Sequence, residues 1–409
     1  MANIIDILEQ RGYIEQVTDK EELVKVIEKE NISFYIGIDP TADSLHVGHF
    51  VSLMVASIMQ KHGLRPVILM GGGTAAIGDP SGKTDMRKML TREEIDKNVA
   101  AIKKQVEKFV SFEGENGAVI VNNADWLVGL NYIDFMREIG SKFTISRMLA
   151  AECYKNRLET GLTFFEMGYM LMQAFDFVHL NKEFGCRLQI GGSDQWGNIL
   201  AGADLSRKIG FSEGKKIDPL FGFTCPLLIK ADGEKMGKTA TGTLWVSRDK
   251  TTPFDFFQAW INSFDEDVER SLSFFTRMEI SDIKELCRKD IREAKKLLAF
   301  EVTKLVHGEE EAIKARQTAE ELFSNKGVSE NMPSIKFDSN KLDINVLDLL
   351  TEVGIVSSKS EGRRLMEQNG ISINQEKETH TDRIITKADF VNGELIVQKG
   401  KKVFLKVQI

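Results

Sequence analysis

Ile32-Ser33-Phe34-Tyr35-Ile36-Gly37-Ile38-Asp39-Pro40-Thr41 carries a short apolar, β-rich run, Ile32 to Ile38, straight into an Asp-Pro turn. A helix-like stretch follows from about Val47 to His62. A second apolar run, Pro66 to Met70, ends in Gly71-Gly72-Gly73, and a third, Gly185 to Ile190, runs into Gly191-Gly192-Ser193-Asp194-Gln195. Strand, turn, helix, strand and glycine-rich turn predict a parallel α/β unit, whose ligands bind beyond the C-terminal ends of the strands.

The rest of the chain sorts into units around that core. A length of 409 residues, at about 150 residues per domain, predicts two or three domains. From about Pro253 to Phe323 the sequence is charged, poor in glycine and proline, and marked by Phe and Leu at helical spacing, which predicts a helical domain. Asn325, Gly327, Asn331, Pro333 and Asn340 mark residues 324–341 as a linker. After it comes a compact unit with two short helices, near Val346–Thr351 and Ser358–Gln368. Short strands follow near Ile371–Ile373, Glu394–Gln398 and Lys402–Val407.

Composition excludes some classes. Hydrophobic residues at 42% and charged residues at 28% are ordinary for a globular chain and speak against a disordered or fibrous one. The longest apolar stretch, Val47 to Met59, is broken by Gly48 and His49 and falls short of the roughly 18 residues of a membrane span. The N-terminus lacks a basic region followed by an apolar core, so the cytoplasm is the expected compartment. Cys153, Cys186, Cys225 and Cys287 show no metal spacing with the histidines and read as reduced packing thiols. A formal net charge of -7 argues against a basic surface overall. Lys359, Arg363, Arg364, Lys399, Lys401, Lys402 and Lys406 nevertheless offer a local basic face for nucleic acid.

Three constellations carry chemistry. His46 and His49, three apart at the start of a helix, sit where backbone N–H groups favour a phosphate, and Gly48 between them allows close approach; the alternative is a pair of capping histidines. Lys235-Met236-Gly237-Lys238-Thr239 places two lysines in a glycine-bearing loop, either to neutralise a polyphosphate or as a solvated basic turn. Tyr169, Gln173 and Asp176, at i, i+4 and i+7, put a hydroxyl, an amide and a carboxylate on one helix face, which is either a polar pocket wall or a solvated surface. Gly78-Asp79-Pro80-Ser81-Gly82-Lys83-Thr84 has three residues between its glycines where a phosphate-binding P-loop has four, and is not one.

With these residues in place, the chain resembles the class I aminoacyl-tRNA synthetases, and among them the bacterial tyrosyl-tRNA synthetases. His46-Val47-Gly48-His49 resembles the HIGH signature, and Lys235 to Thr239 the mobile KMSKS loop. Gly191-Gly192-Ser193-Asp194-Gln195-Trp196-Gly197-Asn198-Ile199 is the string most specific to the family. Val356 to Leu365 with Gly370 to Asn374 resembles the αL RNA-binding domain of a ribosomal small-subunit protein. Ile36 departs from relatives that carry a polar cysteine there.

The resemblance implies an α/β fold: a Rossmann-like parallel-sheet catalytic domain over 1–225 with a helical insert at about 113–157 forming a dimer surface. The KMSKS-type loop and helical domain would span 226–323, and a small α+β RNA-binding domain 342–409. It implies that Tyr35 and Asp176 hold a tyrosine hydroxyl, that Asp79, Tyr169 and Gln173 hold its ammonium, and that Gln195 lies near its carboxylate. Thr41, His46, His49, Lys235, Lys238 and Thr239 would serve the reacting phosphates. Gly37, Asp39, Gly192 and Asp194 would contact the rest of ATP, with Lys83 and Arg87 as further phosphate contacts and Lys359, Arg363 and Arg364 on RNA. ATP with Mg²⁺ would be a substrate, with no resident cofactor or protein-held metal; the partners would be tyrosine, tRNA(Tyr) and a second copy of the chain. A tryptophan-specific relative would lack the Tyr35 and Asp176 pair, and an RNA-binding descendant would lack ATP-site residues.

Every adenylate-site residue in this reading precedes Gly242, and the basic unit follows the linker. Truncation at about Ser339 is therefore expected to leave tyrosine-dependent pyrophosphate exchange largely intact while severely impairing aminoacylation. Full-length aminoacylation should weaken steeply with salt and exchange much less. Equal loss of both activities in a folded truncated protein would refute this.

Overall fold

The structure, a computed structural model, describes residues 3–81, 90–233, 236, 238–239, 242–323, 332–400 and 403–409. Two compact units are distinguished: residues 1–250 with 263–298, and residues 251–262 with 299–409.

The first unit is built on a six-stranded sheet of β1 (Gln16–Val17), β2 (Ser33–Ile38), β3 (Arg65–Met70), β4 (Val119–Asn122), β5 (Cys186–Gly192) and β6 (Phe221–Cys225). Its spatial order is β1-β6-β5-β2-β3-β4. All pairings are parallel except β1 with β6. Central β2 buries Phe34, Tyr35, Ile36 and Ile38, as a strand covered on both faces must. The chain runs outward from β2 to β3 and β4, then returns to build β5 and β6 on the other side. The C-terminal ends of β2 and β5 are thus the topological switch point where an open α/β sheet binds ligands.

Three helices matter to that crevice. α1 (Phe50–Lys61) is apolar nearly all round and buries Phe50, Val51, Leu53, Met54 and Val55, which makes it a core helix. α2 (Phe164–Phe184) starts with Thr163 accepting from the Glu166 N–H and Glu166 accepting from the Thr163 N–H, and stops at Gly185, whose φ of 63° is left-handed. α3 (Trp196–Ser212) packs against α2, with Gly202 so close to Phe177 that an added Cβ would lie 2.9 Å from its ring.

Val119–Asn122 falls inside the span expected as an insert, yet it is a strand paired with β3. The helical excursion begins after it, at Ala124–Leu127, and continues through Tyr132–Glu138, Ile145–Leu149 and Glu152–Thr160. The helical domain expected over 226–323 is likewise not one body. Helices Asp265–Phe275 and Ile280–Lys289 belong to the first unit, where Phe275 meets Phe50 edge-on at 5.8 Å and the Arg11 guanidinium donates to the carbonyls of Ser273, Thr276 and Met278. Pro253–Ile261 and Glu309–Phe323 belong to the second unit.

Within the second unit, residues 332–409 form a sheet of β7 (Ser334–Lys336), β8 (Ile371–Ile373), β9 (Glu376–Lys377), β10 (Glu394–Lys399) and β11 (Val403–Gln408), in the order β9-β8-β10-β11-β7. Helices Val346–Glu352 and Lys359–Glu367 accompany it, and Val346, Leu350, Met366, Ile371, Leu395 and Val407 make the shared core. The expected linker is thereby shortened, because Ser334–Lys336 pairs in parallel with β11. A cut at Ser339 strands that edge, so the truncation that removes the whole sheet lies before Ser334.

Lys406 is also reassigned. It is 5% exposed with its ammonium 3.2 Å from Glu394, and so belongs to the core rather than to a basic face. Lys399 donates to Glu361 at 2.7 Å and Lys359 pairs with Asp348, while Arg363 and Arg364 are exposed. Lys401 and Lys402 lie outside the described residues.

Candidate active site

A cavity of about 500 Å³ opens at the C-terminal ends of β2, β3 and β5. It is lined by Tyr35, Gly37, Asp39, Thr41, His46, His49, Asp79, Tyr169, Gln173, Asp176, Gly192, Asp194 and Gln195, which brings together the expected tyrosine-site and nucleotide-site residues. Ile36, buried on β2, lines it too. Lys83, Arg87 and Lys235 lie outside the described residues, as do the side chains of Lys238 and Thr239.

The His46–His49 segment is a tight 3₁₀ turn, Val47–His49, leading into α1. The Gly48 N–H donates to His46 Nδ1 at 3.0 Å, the His46 N–H donates to His49 Nδ1 at 3.2 Å, and the rings lie 4.1 Å apart. A Cβ on Gly48 would fall 2.7 Å from the His46 ring, so the turn requires glycine. Both histidines thus take the capping role and line the cavity at once. Beside them, the Val47 N–H donates to Leu244 O at 3.2 Å and the Val246 N–H to Leu45 O at 2.9 Å. This pairing anchors the chain just after the lysine loop to the histidine turn. Met236, within the lysine segment, and Thr243, after it, line the cavity.

Opposite lies a buried polar network. Asp176 is 1% exposed and accepts from Asn123 Nδ2 at 2.9 Å and Trp126 Nε1 at 2.7 Å. Burial pushes its carboxyl up to about 7, the charge on Asp39 adds to the rise, and the two donors oppose it. The Trp126 indole stacks on His179 at 4.3 Å, and burial lowers the His179 pKa. Tyr169 donates to Asp39 at 2.9 Å, and Gln195 donates to Asp79 at 2.6 Å and accepts from Gln173 at 3.2 Å. The spacing of Tyr169, Gln173 and Asp176 therefore marks a pocket wall rather than a solvated surface.

Three buried atoms on this wall, Tyr35 Oη, Gln173 Oε1 and Gln189 Oε1, have no hydrogen-bond partner among the described residues. Burial holds the Tyr35 phenol well above its ordinary pKa, so it stays protonated and able to donate. Unpaired buried polar atoms are costly, and here they face a cavity that a polar ligand can fill.

Sequence reasoning missed Asn123, Trp126, Thr74 and Gln189. The signal for the first existed: Val119-Ile120-Val121 ends in Asn122-Asn123, the same apolar run into polar residues that marks the other strand ends. Among the described residues no group of three or more His, Cys, Asp or Glu side chains is arranged to hold a metal ion. Cys153, Cys186 and Cys225 are buried, and burial raises the Cys186 and Cys225 thiols.

The fold and this cavity correspond to a known class. Residues 28–324 match the family model of class I tRNA synthetases (W and Y), and residues 324–407 match the C-terminal domain of the SYY-like tyrosine–tRNA ligases. The chain belongs to the class I tRNA synthetases of the tryptophan and tyrosine family. Within it, the full-length likeness is to tyrosine–tRNA ligases. That of Clostridium kluyveri is 52% identical over 412 residues, covering 100% of both chains, and that of Acetivibrio thermocellus is 52% identical over 414 residues, again covering 100% of both. A C-terminally truncated mitochondrial tyrosyl-tRNA synthetase from Aspergillus nidulans superposes with a TM-score of 0.70 at 31% identity, covering 79% of this chain and 95% of that one. The tryptophanyl-tRNA synthetase of Aeropyrum pernix, at 16% identity and a TM-score of 0.57 over 76% of this chain and 86% of its own, shares the fold.

The elevated Asp176 pKa has a consequence for stability. A carboxyl that holds its proton more tightly folded than unfolded contributes stability that is fully present below the unfolded value of 3.8 and is lost as pH rises through about 7. Relative to Asp176→Asn, which is neutral throughout, the unliganded protein is expected to lose stability between about pH 4 and pH 7, by an amount on the order of a few kcal/mol at most. Thermal unfolding of both proteins over a pH series measures it; parallel curves would refute the assignment.

Proposed function

We infer that the cavity carries out the tyrosine–tRNA ligase reaction, in which tyrosine is activated with ATP and then transferred to the terminal ribose of tRNA. The tyrosine carboxylate attacks the α-phosphate and pyrophosphate leaves; a ribose hydroxyl then attacks the adenylate carbonyl. No side chain becomes covalently attached, so the protein positions the reactants and stabilises charge on the transferring phosphoryl group.

The observation that carries the residue assignment is the pairing of Tyr35 Oη, buried and without a partner, with the buried Asp176 carboxyl on one cavity wall. A phenol hydroxyl inserted there accepts from Tyr35 and donates to ionised Asp176. Phenylalanine would leave the Tyr35 hydroxyl unpaired and Asp176 with only its Asn123 and Trp126 donors. Rejection of phenylalanine by tyrosyl enzymes is itself a standard example of this effect, on the order of 10⁵, a magnitude known for the enzyme class and not obtained from this structure. The ammonium group is assigned to Tyr169, Gln173 and Asp79, and the carboxylate to the neighbourhood of Gln195. The ribose is assigned to Gly192 and Asp194, the rest of the nucleotide to Gly37 and Asp39, and the phosphates to Thr41, His46 and His49. Lys235, Lys238 and Thr239 are proposed for the phosphates on family resemblance, as are Lys83 and Arg87.

Mg²⁺ is proposed to arrive with the ATP phosphates, as part of the substrate. Homodimerisation is proposed through the apolar residues left exposed on the single chain, Tyr132, Ile133, Ile145, Leu158, Phe164 and Phe165. Arg363 and Arg364, with Lys359, are proposed RNA phosphate contacts, and the cytoplasm is the proposed compartment. Among the described residues no helix is long and apolar enough to cross a membrane.

Pyrophosphate exchange across all twenty amino acids tests the substrate, with tyrosine expected to dominate. Asp176→Asn should reduce the ratio of tyrosine to phenylalanine activation more than it weakens ATP binding; an unchanged ratio would place phenol recognition elsewhere. His46→Ala should lower the adenylate formation rate by roughly 10² to 10³ with little change in tyrosine affinity, read by pre-steady-state kinetics. A normal rate would leave His46 with its capping role alone.

A further inference from the structure

The two recognising ends of the cavity are joined by a continuous chain of buried hydrogen bonds whose middle member, Thr74, contacts neither end of the substrate in the reading above. At the phenol end, Asp176 Oδ2 accepts from Asn123 Nδ2 at 2.9 Å. The other N–H of that amide donates to Thr74 Oγ1 at 3.0 Å, and the Thr74 hydroxyl donates to Asp39 Oδ1 at 2.9 Å. Asp39 Oδ2 accepts from the Tyr169 hydroxyl at 2.9 Å, which closes the chain at the ammonium end. Asn123 is fully buried, and Asp176 and Thr74 are 1% and 3% exposed.

The direction of each bond is fixed. An amide nitrogen can only donate, and the Asn123 amide cannot flip because its Oδ1 accepts from the Gly73 N–H at 2.7 Å. Thr74 has one hydroxyl proton. With an amide donor on one side and a carboxylate on the other, it must give that proton to Asp39. The backbone is shaped around this contact: a Cβ at Gly71 would fall 2.0 Å from Asp39 Oδ1 and 2.5 Å from Thr74 Oγ1, so only glycine leaves room for it.

We propose that Thr74 is a positioning residue that makes capture of the substrate's ammonium group and recognition of its phenol hydroxyl cooperative, by linking Asp39 to Asp176 through Asn123. This rests on the assignment of the two ends given above. An ammonium group at Tyr169 and Asp79 offsets the negative charge of Asp39. That charge opposes ionisation of Asp176, so offsetting it favours the carboxylate that accepts the phenol proton. The dipoles of Thr74 and Asn123, ordered and sheltered from water, strengthen the link because hydrogen bonds in such a chain polarise one another. Removing the Thr74 hydroxyl leaves both ends built and breaks the hydrogen-bonded link between them, so that only the through-space effect of the Asp39 charge on Asp176 remains. Altering Asn123 would not separate the two, since it touches Asp176 directly.

The test uses competitive inhibition of tyrosine-dependent pyrophosphate exchange by four small ligands. Tyramine carries ammonium and phenol, phenethylamine ammonium alone, tyrosol phenol alone, and 2-phenylethanol neither. The gain from the phenol hydroxyl is the ratio of inhibition constants within each pair, and the coupling is the quotient of the two gains. In the unaltered protein the gain is expected to be at least about fivefold larger with the ammonium present. Thr74→Val should bring the quotient to within about twofold of one while keeping a preference for the phenol, and Thr74→Ser should restore it. Thr74→Ala is read the same way if the valine variant does not fold. A quotient near one in the unaltered protein, or one unchanged by loss of the hydroxyl, overturns the proposal. Asp176→Asn separates this from failure of the site assignment: it should reduce the phenol preference in both pairs, and an undiminished preference would mean that the ends themselves are misassigned.

Discussion

A carboxyl group 1% exposed in the middle of an α/β core has to be met by donors, and much of this unit's architecture meets the demand of Asp176. Its donors, Asn123 and Trp126, lie on the chain segment immediately after β4. That segment reaches Asp176 only because β4 is the strand beside β3. The same placement lets Asn122 and Asn123 accept from the Gly72 and Gly73 N–H groups, which fixes the glycine turn after β3 and sets Thr74 beside Asp39. Removing one donor would leave a buried polar atom unpaired, at a typical cost of about 1–3 kcal/mol. Sheet order, glycine turn and pocket wall are thus parts of one arrangement.

The parallel sheet was legible because each central strand is an apolar run ending in glycine or polar residues, a local pattern with one structural meaning. The pocket wall was half legible. Tyr169, Gln173 and Asp176 share a helix face by spacing alone, but whether that face meets solvent or cavity depends on what packs over it. Thr74 was illegible as a site residue and Asn123 was legible only as a polar residue after an apolar run, since the importance of both lies in hydrogen bonds to chain about fifty residues away. The insert boundary failed for a related reason: Val119–Asn122 is four residues long, and its strand character comes from pairing with β3. Ser334–Lys336 followed the same rule against β11.

Charge was the least transferable signal. The C-terminal lysines read as a basic face, but Lys399 and Lys406 spend their charge on Glu361 and Glu394, and Glu361, held by Lys399 and the Ser357 hydroxyl, is drawn down to about 2. Sequence gives the number of cations in a segment and not the number left over after internal pairing. Arg363 and Arg364, on the exposed face of Lys359–Glu367, present cationic groups to solvent. Guanidinium groups suit phosphate because their planar donors bind it in a fork.

On the proposed assignment, which amino acid this chain selects depends on where a few buried polar atoms sit and not on the fold. The backbone shared with a tryptophanyl enzyme at a TM-score of 0.57 sets the crevice, but it does not choose the side chain that fills it. On the proposed assignment choice lies with Tyr35, which packs edge-on against Phe177 at 5.2 Å and whose hydroxyl has no partner among the described residues. Tyr35 belongs to β2 and Asp176 to α2, two elements buried for reasons of packing alone. On that assignment specificity rests on rigid supports, and a substrate without a hydroxyl leaves the buried Tyr35 hydroxyl unpaired. The side proposed for the nucleotide differs: there the Val47–His49 turn is held by its own caps, and the Met236 N–H, inside the lysine segment, donates to Leu228 O at 2.7 Å. Selection by a buried wall and neutralisation of phosphate charge, as proposed, are separate physical tasks, the first needing fixed polar atoms and the second only nearby cationic groups.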